Sequence, residues 1–573
     1  MKTIKLYIAF AFSVLGVIGC SDYLDRESMT DTNQTYEDIF KNPHQAPGFI
    51  NHAYNYLPNG FYQVGDALMA SACDEAEHSD AGATVQLFNS EAISPTYNPD
   101  DVWNNMYEGI RICNIFLKEL SGKDGLIVKY NSIAESERNN YKGQALFLRA
   151  FFHFELAKRY QNIFCVNEVL DPFNEGQIYA IPQSTFRQAV DFIVNDCDSA
   201  AKYLPSTAVN TSGSTAGRPT QAAPLALKSR ILLYAASPLN NPDGNIELWR
   251  KAEAAAKDFY DKNTTIFKQK LLDDYGKVFT TPYNSEIIFA TMPTNTNTIE
   301  YNNFPISYQG RGLTNPTQEL VDSYAMASTS YASPMSGYQS DDPYSLTNTK
   351  KRENRFYATV LFNGQTFKDS QVETFVGGKE GLYSTSTATK TGYYLRKFIK
   401  PDIDLVTGST AYQYWTLFRY AEIILNYAEA RNEELDSPAS DKTIHDLLNL
   451  IRNRAGLRPF RSSSEYIKTK EEMRDYIKLE RKKELALEGH RFWDMRRWKD
   501  EAGLSASVHG VKIEKVEDGV GSQNNPAFKL TYKYFKVENR TFDTKFYWYP
   551  IPRSEILKYR SKGIEIKQNP GWE

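Results

Sequence analysis

Small and large hydrophobic residues recur at helical spacing in three separate stretches, residues 143–160, 222–236 and 419–432. Each stretch has a small residue, a large one four positions later, and a second small one three positions after that. The three sets are Ala150, Phe154 and Ala157; Ser229, Leu233 and Ala236; and Ala421, Leu425 and Ala428. These positions share one face of a helix, where small side chains let a partner helix approach closely. The pattern predicts helix pairs of the tetratricopeptide type, and chance spacing in unrelated amphipathic helices is the alternative.

A candidate second helix follows each of the three stretches. The candidates are residues 188–204, 248–260 and 443–455, and residues 47–57 with 102–120 form a fourth candidate pair. The intervals between the pairs are irregular, which indicates an array of repeats broken by insertions. We therefore expect a helical scaffold over about 40–262 and 416–500.

Residues 263–415 lack sustained helical periodicity. They contain many tyrosines amid Asn, Thr, Ser, Gly and Pro, and short runs typical of strands occur at 286–291, 357–362 and 393–399. Exposed functional residues are common on such loops. The predicted fold class is mostly α: a tetratricopeptide-like helix-pair scaffold with a long loop-rich lobe containing a few short strands. A C-terminal segment, 501–573, completes the chain.

The first twenty residues have the features of an export signal. Lys2 and Lys5 precede an apolar run over residues 6–18, which is too short to span a bilayer. The run ends in Val17-Ile18-Gly19-Cys20, which resembles a bacterial lipobox with Cys20 as the acylated first residue of the mature protein. An ordinary signal peptide that contains a cysteine is the alternative. We expect a lipoprotein signal peptide over 1–19 and a lipid anchor on Cys20.

Charge and composition narrow the function further. The chain has 66 Lys and Arg against 70 Asp and Glu, a formal net charge of −4, so it has no basic excess for binding nucleic acid. Aromatic residues make up 13% of the chain and 38 of them are tyrosines. Tyrosine offers an apolar face and a hydroxyl at small entropic cost, and it is favoured on recognition surfaces.

Sequence motifs of common enzymes are absent: the chain has no HExxH, no Walker loop and no G-x-S-x-G. A pair of glycosidase carboxylates can be neither identified nor excluded among 70 acids. The densest polar cluster, residues 73–80, has oxygen ligands suited to calcium but not the spacing of an EF-hand. A solvated loop is the favoured interpretation of that cluster. We expect no enzyme activity and no cofactor, with calcium as the one metal to consider.

Several stretches together carry a resemblance to a known family. They are residues 143–152, 226–238, 316–322, 419–430, 448–457, 480–498, 550–552 and 568–572. The chain resembles the SusD/RagB family of surface lipoproteins, the nutrient-binding partners of TonB-dependent outer-membrane transporters. The resemblance runs from Cys20 to Trp572 and implies one SusD-like domain over 20–573. The chain departs from the family pattern at residues 325–328 and 352–355, beside the variable lobe.

The resemblance also implies where a ligand binds. In the family the site lies on loops that correspond here to residues 74–101 and 295–313. A glycan presents C–H patches on its ring faces and hydroxyls at its edge, so a site needs aromatic platforms beside polar side chains. The candidate ligand-binding residues are Asp74, Glu75, Phe88, Tyr97, Asn98, Tyr301, Asn303, Phe304, Tyr308 and Arg311. For any one aromatic residue, a packing role is an equally reasonable expectation.

The longest match, residues 480–498, has a structural interpretation. Its acids and bases recur at intervals of three and four residues, which predicts one salt-bridged helix. Ile477, Leu485, Phe492 and Trp493 are expected to pack inward. His490 has no evident catalytic partner, so we expect a scaffold helix here.

The resemblance implies a cell-surface lipoprotein of the outer membrane of a Gram-negative bacterium. Such a protein binds an oligosaccharide or polysaccharide and delivers it to a SusC-like transporter. Three alternatives remain open: peptides or another nutrient as cargo, a surface glycan hydrolase, and a scaffold that binds only proteins.

Overall fold

The computed structural model describes residues 35–171, 173–207, 216–327, 340, 342–345, 351–460, 467–517 and 527–573. The predicted signal peptide, Cys20, residues 208–215 of the polar loop, and Tyr331 and Tyr338 of the lobe lie outside the described residues. Within these ranges no helix has both the length and the apolar composition needed to cross a bilayer.

Helices dominate the described part of the chain. They are α1 (Tyr36–Lys41), α2 (Ala46–Ala53), α3 (Gln86–Asn89), α4 (Trp103–Glu119), α5 (Leu126–Lys129), α6 (Glu135–Tyr160), α7 (Glu175–Tyr179), α8 (Phe186–Tyr203), α9 (Ala222–Ala236), α10 (Ile246–Lys262), α11 (Thr298–Asn303), α12 (Gln318–Ser323), α13 (Asn354–Thr359), α14 (Tyr420–Glu434), α15 (Lys442–Arg454), α16 (Lys470–Glu484), α17 (His490–Arg497), α18 (Glu501–Leu504) and α19 (Arg553–Ser561). Side-chain hydrogen bonds cap the N-termini of several helices. Thr185 is the N-cap of α8 and Thr469 is the N-cap of α16, each in a capping box.

In the described residues the strands pair two at a time, always antiparallel, and all but the last two have four residues or fewer. They are β1 (Ala76–His78), β2 (Ile287–Ala290), β3 (Thr294–Thr296), β4 (Thr314–Pro316), β5 (Val360–Leu361), β6 (Thr366–Phe367), β7 (Ser370–Gln371), β8 (Tyr394–Leu395), β9 (Ala411–Gln413), β10 (Thr416–Arg419), β11 (Val508–Glu517) and β12 (Phe528–Glu538). The pairs are β1 with β4, β2 with β10, β3 with β9, β5 with β8, β6 with β7, and β11 with β12.

The four predicted helix pairs are confirmed. Helix α2 packs on α4, α6 on α8, α9 on α10, and α14 on α15. Neighbouring pairs also contact each other, through α4 with α6, α8 with α9, and α10 with α14. The small residues of the repeated pattern are all buried. The same close packing occurs at Gly109, where a Cβ atom would lie 2.7 Å from the Phe152 ring. The predicted fold class, a mostly α scaffold of helix pairs with a strand-poor lobe, is confirmed.

The longest family match is not one helix, and this prediction was wrong. The chain forms α16 and α17, separated by a turn in which Leu487 and Gly489 have φ angles of 65° and 78°. Left-handed backbone cannot continue a right-handed helix. The predicted inward residues Ile477, Leu485, Phe492 and Trp493 are nonetheless buried.

Most charges of this match are buried, and most of them pair with distant parts of the chain. Arg419, just before α14, contacts Glu286, Glu484 and Glu488 at 2.6–2.7 Å. Arg355 of the lobe contacts Glu484 at 3.0 Å. Burial would raise the pKa of Glu484, but the surrounding guanidinium groups hold it well below its ordinary value. This ion network connects the lobe, the scaffold and the α16–α17 turn.

The long hairpin of β11 and β12 was not predicted within the C-terminal segment. Strand β11 has a buried side, and the N–H of Val511 donates to the carbonyl of Thr391 at 2.7 Å. Strand β12 has no buried residue. The hairpin is thus an addition to the body of the lobe, attached through β11.

Candidate functional site

The two sequence windows, residues 74–101 and 295–313, meet through a small sheet. Strand β1 of the first window pairs with β4, which directly follows the second, so that Ala76 lies opposite Pro316 and His78 opposite Thr314. The N–H of Ser79 extends this contact by donating to the carbonyl of Leu313 at 2.9 Å. Two loops far apart in sequence therefore form one surface.

Arg311 and Asp66 form a partly exposed ion pair at this surface. Arg311 Nη1 lies 2.6 Å from Asp66 Oδ2 and donates to Asn302 Oδ1 at 3.3 Å, while both charged side chains keep more than a third of their surface in solvent. His78 Nε2 is 3.8 Å from the other oxygen of Asp66. Burial lowers the pKa of His78, so its ring is neutral near pH 7. The arrangement offers a carboxylate and a guanidinium as hydrogen-bonding groups at the protein surface.

Exposed tyrosines lie on the adjoining elements. Tyr301 of α11 is 50% exposed, and its carbonyl accepts the N–H of Arg311 at 2.8 Å. Tyr412 of β9 is 61% exposed and lies opposite Asn295 of β3. The two loops that carry these rings are fixed together by Glu300, which accepts from Gln413 Nε2 at 2.6 Å and from the N–H of Lys400 at 3.0 Å. Fixed, exposed rings of this kind can stack on the C–H face of a sugar.

Tyr308 is half-buried and its hydroxyl is already engaged. It donates to the carbonyl of Phe367 at 3.0 Å and lies 2.7 Å from Ser370 Oγ. Its ring packs edge-on against Phe367. Tyr308 is thus only partly exposed, and its hydroxyl stabilises the β6–β7 turn.

Asn303 and Phe304 are buried, which corrects the expectation that they contact ligand. The Phe304 ring is 0% exposed and packs on Phe367 with centroids 5.2 Å apart. Asn303 donates to the carbonyl of Ile299 and accepts the N–H of Thr314. Both side chains fix the fold of the loop because neither has surface left for a ligand.

Asp74 and Glu75 have structural environments as well, and the burial of Glu75 corrects the same expectation for that residue, whereas Asp74 keeps some exposed surface and stays a candidate. Asp74 forms ion pairs with Arg491 and Lys482, each at 2.8 Å. Glu75 is buried, and its Oε2 accepts the N–H of Leu487 at 3.0 Å. Burial, reinforced by the Asp74 charge, raises the pKa of Glu75 to about 8. Both residues attach the first window to the α16–α17 turn.

The remaining candidates of the first window are divided between core and surface. Phe88 is buried against Phe492 and Tyr549. Tyr97 is exposed, and Asn98 accepts the N–H of Asp100 while its Nδ2 has no hydrogen-bond partner. Their loop is attached to the C-terminal part of the chain, where the N–H of Arg553 donates to the carbonyl of Pro95. Tyr97 and Asn98 stay candidates for ligand contact.

Two surface residues were missed by the sequence reasoning. Asp66 precedes the first window and Tyr412 belongs to a segment 99 residues after the end of the second. No local pattern distinguishes either one, since each becomes part of the surface only through pairing between distant segments. Among Asp, Glu, His and Cys residues in the described part of the chain, no group of three or more is arranged to hold a metal ion. The prediction stays that no cofactor is bound, with calcium as the one metal to consider.

Comparisons with known proteins agree with this architecture. Residues 263–572, more than half of the chain, match the model of the SusD family, and residues 22–233 match a SusD-like model described as starch-binding and associating with the outer membrane. No curated protein was found to match the chain.

Solved structures with the same fold cover nearly the whole chain. A SusD-like protein from Bacteroides fragilis NCTC 9343 is 27% identical with a TM-score of 0.72, covering 95% of this chain and 100% of that one. A SusD-like carbohydrate-binding protein from the same strain is 22% identical (TM-score 0.70; 90% and 98% covered). A laminarin-binding SusD-like protein is 21% identical (TM-score 0.61; 92% and 99% covered). The resemblance found in the sequence is confirmed: the chain belongs to the SusD family.

Proposed function

We propose that this protein is a lipid-anchored protein of the outer-membrane surface that binds an oligosaccharide without cleaving it and passes it to a SusC-like TonB-dependent transporter. The observation that carries the proposal is the surface around the Arg311–Asp66 ion pair. Tyr301, whose carbonyl accepts the N–H of Arg311, adds an exposed ring, and a second exposed ring, Tyr412, lies on β9, which Gln413 connects to Glu300 of the same helix as Tyr301.

The chemistry of this surface suits a sugar. Stacking against a tyrosine face removes C–H surface of the sugar from water, and the carboxylate and guanidinium satisfy hydroxyls at the ring edge. The names of two structural neighbours, one carbohydrate-binding and one laminarin-binding, support the same ligand class. The description of the family model over residues 22–233 supports the outer-membrane location.

The anchor is tested through Cys20. If this residue carries the lipid, Cys20→Ala protein is released from washed membranes whereas the wild type stays bound. Equal retention of both proteins contradicts the anchor. The transporter partnership predicts that wild-type protein, extracted in mild detergent, copurifies with a TonB-dependent transporter; its isolation without one contradicts the delivery step.

Ligand binding is tested by gel retardation on a panel of polysaccharides. We expect at least one polysaccharide to retard the protein and to yield no new reducing ends on incubation. Tyr301→Ala and Tyr412→Ala should weaken retardation several-fold, since each lost stacking contact costs about 1 kcal/mol. Tyr130→Ala is the matched control, because Tyr130 is also exposed but lies after α5. Retardation unchanged in both site variants, or new reducing ends, contradicts the proposal.

A further inference from the structure

A recess of about 420 Å³ lies outside the two sequence windows that form the proposed oligosaccharide surface. Parts of three segments line it, residues 274–280, 354–358 and 396–402. Its volume is within the range of small-molecule sites. In the third segment Phe398 has a left-handed backbone with a φ of 72° and a buried ring. Bulky residues rarely adopt this conformation, and such strain is concentrated at functional sites.

Arg396 offers this recess a guanidinium edge without a counter-ion. Its Nη1 donates to the carbonyl of Ile399 at 3.2 Å, and in the described part of the chain its side chain forms no ion pair. Its Nε and Nη2 have no protein partner and are accessible to solvent. The same two nitrogens of Arg149 bind the carboxylate of Asp196, each at 2.7 Å. The free edge of Arg396 is thus the edge that binds paired anionic oxygens.

The other charges of the recess also favour an anion. Three lining cations form no ion pair within the described residues; they are Lys277, Arg396 and Lys400. A fourth cation, Lys397, is buried and paired with Glu488 at 2.8 Å. Two exposed acids, Asp274 and Asp402, also line the recess, so three unpaired cations stand against two acids. Burial lowers the pKa of Arg396 more than the nearby Asp274 raises it, which shows that the guanidinium has lost water without gaining a full counter-charge.

Lys400 connects the recess to the proposed oligosaccharide surface. Its side chain lines the recess, and its ammonium group donates to the carbonyl of Tyr412. Its N–H donates at 3.0 Å to Glu300, the residue before Tyr301. The recess therefore adjoins the loops that carry the two exposed rings.

We propose that this recess is a subsite for the acidic substituent, a carboxylate or a sulfate ester, of the oligosaccharide bound at the adjoining surface, with Arg396 as the residue that binds it. The proposal rests on the proposed oligosaccharide binding and narrows its ligand to an acidic glycan. Both substituents present paired anionic oxygens, which suit Nε and Nη2 side by side. The hydroxyl of Thr280 and the amide of Asn354 line the same recess and suit the hydroxyls of a sugar ring.

The test compares acidic polysaccharides with neutral counterparts by gel retardation of the full chain. The pairs are dextran sulfate with dextran, and polygalacturonate with its methyl ester, so the two pairs distinguish a sulfate from a carboxylate. The wild type should bind the acidic member of at least one pair at least tenfold more tightly than the neutral member. Arg396→Gln should lose at least tenfold in affinity for that acidic polysaccharide and keep its affinity for the neutral one. Arg396→Lys, which keeps the charge but not the two-nitrogen edge, should lose several-fold.

Arg138→Gln is the matched control. Arg138 is also half-buried and donates to a carbonyl at 3.2 Å, that of Ile133, and it forms no ion pair within the described residues, but it lies on α6 and does not line the recess. This variant should bind both members of each pair as the wild type does. Thermal melts establish that every variant is folded.

Failure of this proposal differs from failure of oligosaccharide binding itself. If the wild type prefers no acidic member, or folded Arg396→Gln keeps the preference, the acidic subsite is overturned while binding of neutral polysaccharides still supports the proposed function. If no polysaccharide, acidic or neutral, retards the folded wild type, both proposals are overturned. Tyr301→Ala should weaken binding of the acidic and the neutral member by the same factor, because stacking does not depend on the charge of the substituent.

Discussion

At the scale of single residues, Tyr301 and Phe304 show why composition alone does not locate a binding surface. They lie one turn apart at the end of α11, yet Tyr301 is half exposed and Phe304 is completely buried. The sequence predicts correctly that this window is rich in aromatic residues. It could not distinguish the two rings, because their burial depends on Phe367, more than sixty residues away.

The two environments predict that alanine substitution affects stability to very different extents. Phe304→Ala should lower the free energy of unfolding by about 3–5 kcal/mol, since it leaves a cavity in the lobe. Tyr301→Ala should change it by less than about 1 kcal/mol, because the ring is largely in solvent. Chemical denaturation of both variants measures the difference. Equal destabilisation by the two substitutions contradicts the assigned environments.

Glu75 predicts an unusual dependence of stability on pH. Its pKa is about 8 in the folded protein against an ordinary value of 4.5, so the unfolded chain releases this proton first. The carboxyl therefore favours the folded state at acidic pH, and this contribution decreases as pH rises from about 4.5 to 8. Glu75→Gln has nothing to ionise and keeps an oxygen for the Leu487 N–H.

Glu75→Gln should thus become more stable relative to the wild type as pH increases. We expect similar melting temperatures at pH 4.5 and a higher melting temperature for Glu75→Gln at pH 8. Between these limits the difference in the free energy of unfolding should grow by on the order of 1 kcal/mol per pH unit. Asp74→Asn is the opposing control: it leaves Arg491 and Lys482 without a counter-ion and should destabilise at neutral pH. A difference in stability between Glu75→Gln and the wild type that does not change with pH would contradict the raised pKa of Glu75.

At the scale of elements, the helix pairs were predictable because each carries its own periodicity. The spacing at Ser229, Leu233 and Ala236 depends only on local geometry, and α9 has the predicted bounds. The division between α16 and α17 was not predictable in this way. Charges recur at helical spacing across residues 485–489, but the turn there is fixed by left-handed backbone and by contacts with Glu75 and Arg419.

Gly489 is the position where this turn requires a glycine. Its φ is 78°, and a Cβ atom there would have 3.9 Å of clearance to its nearest neighbour, Trp415, so the cost of a side chain lies in the backbone. Gly489→Ala should destabilise the protein by about 1–2 kcal/mol. The control is Gly48→Ala within α2, where no atom lies within 4 Å of the added Cβ and alanine should be neutral or stabilising by up to about 1 kcal/mol. Equal effects in equilibrium unfolding would contradict the assigned strain.

At the scale of the whole molecule, the buried ion network connects parts that the sequence analysis treated separately. Arg419 joins Glu286 beside β2 to Glu484 and Glu488 of the α16–α17 region, and Arg355 joins the lobe to the same cluster. Sequence reasoning identified the scaffold and the lobe as regions of different character. It could not show their connection, because ion pairs between residues 65 to 133 positions apart leave no periodic signal.

The network predicts that lobe and scaffold unfold together. Calorimetry should show one cooperative transition, and Arg419→Met should lower the free energy of unfolding by about 3–5 kcal/mol because it leaves buried carboxylates without their counter-ion. Arg250→Met, which removes an exposed ion pair, should cost less than about 1 kcal/mol. Two well-separated transitions in the wild type would show that the lobe is an independent unit.

The central claim, that the exposed tyrosines Tyr301 and Tyr412 and the Arg311–Asp66 pair bind a glycan, is tested most directly by one titration. The Tyr301→Ala/Tyr412→Ala double variant and the wild type are titrated calorimetrically with an oligosaccharide derived from the polysaccharide that retards the wild type. We predict unchanged melting and a loss of at least tenfold in affinity for the double variant, the sum of two lost stacking contacts. Wild-type affinity in a folded double variant would contradict the claim and place the ligand on another surface.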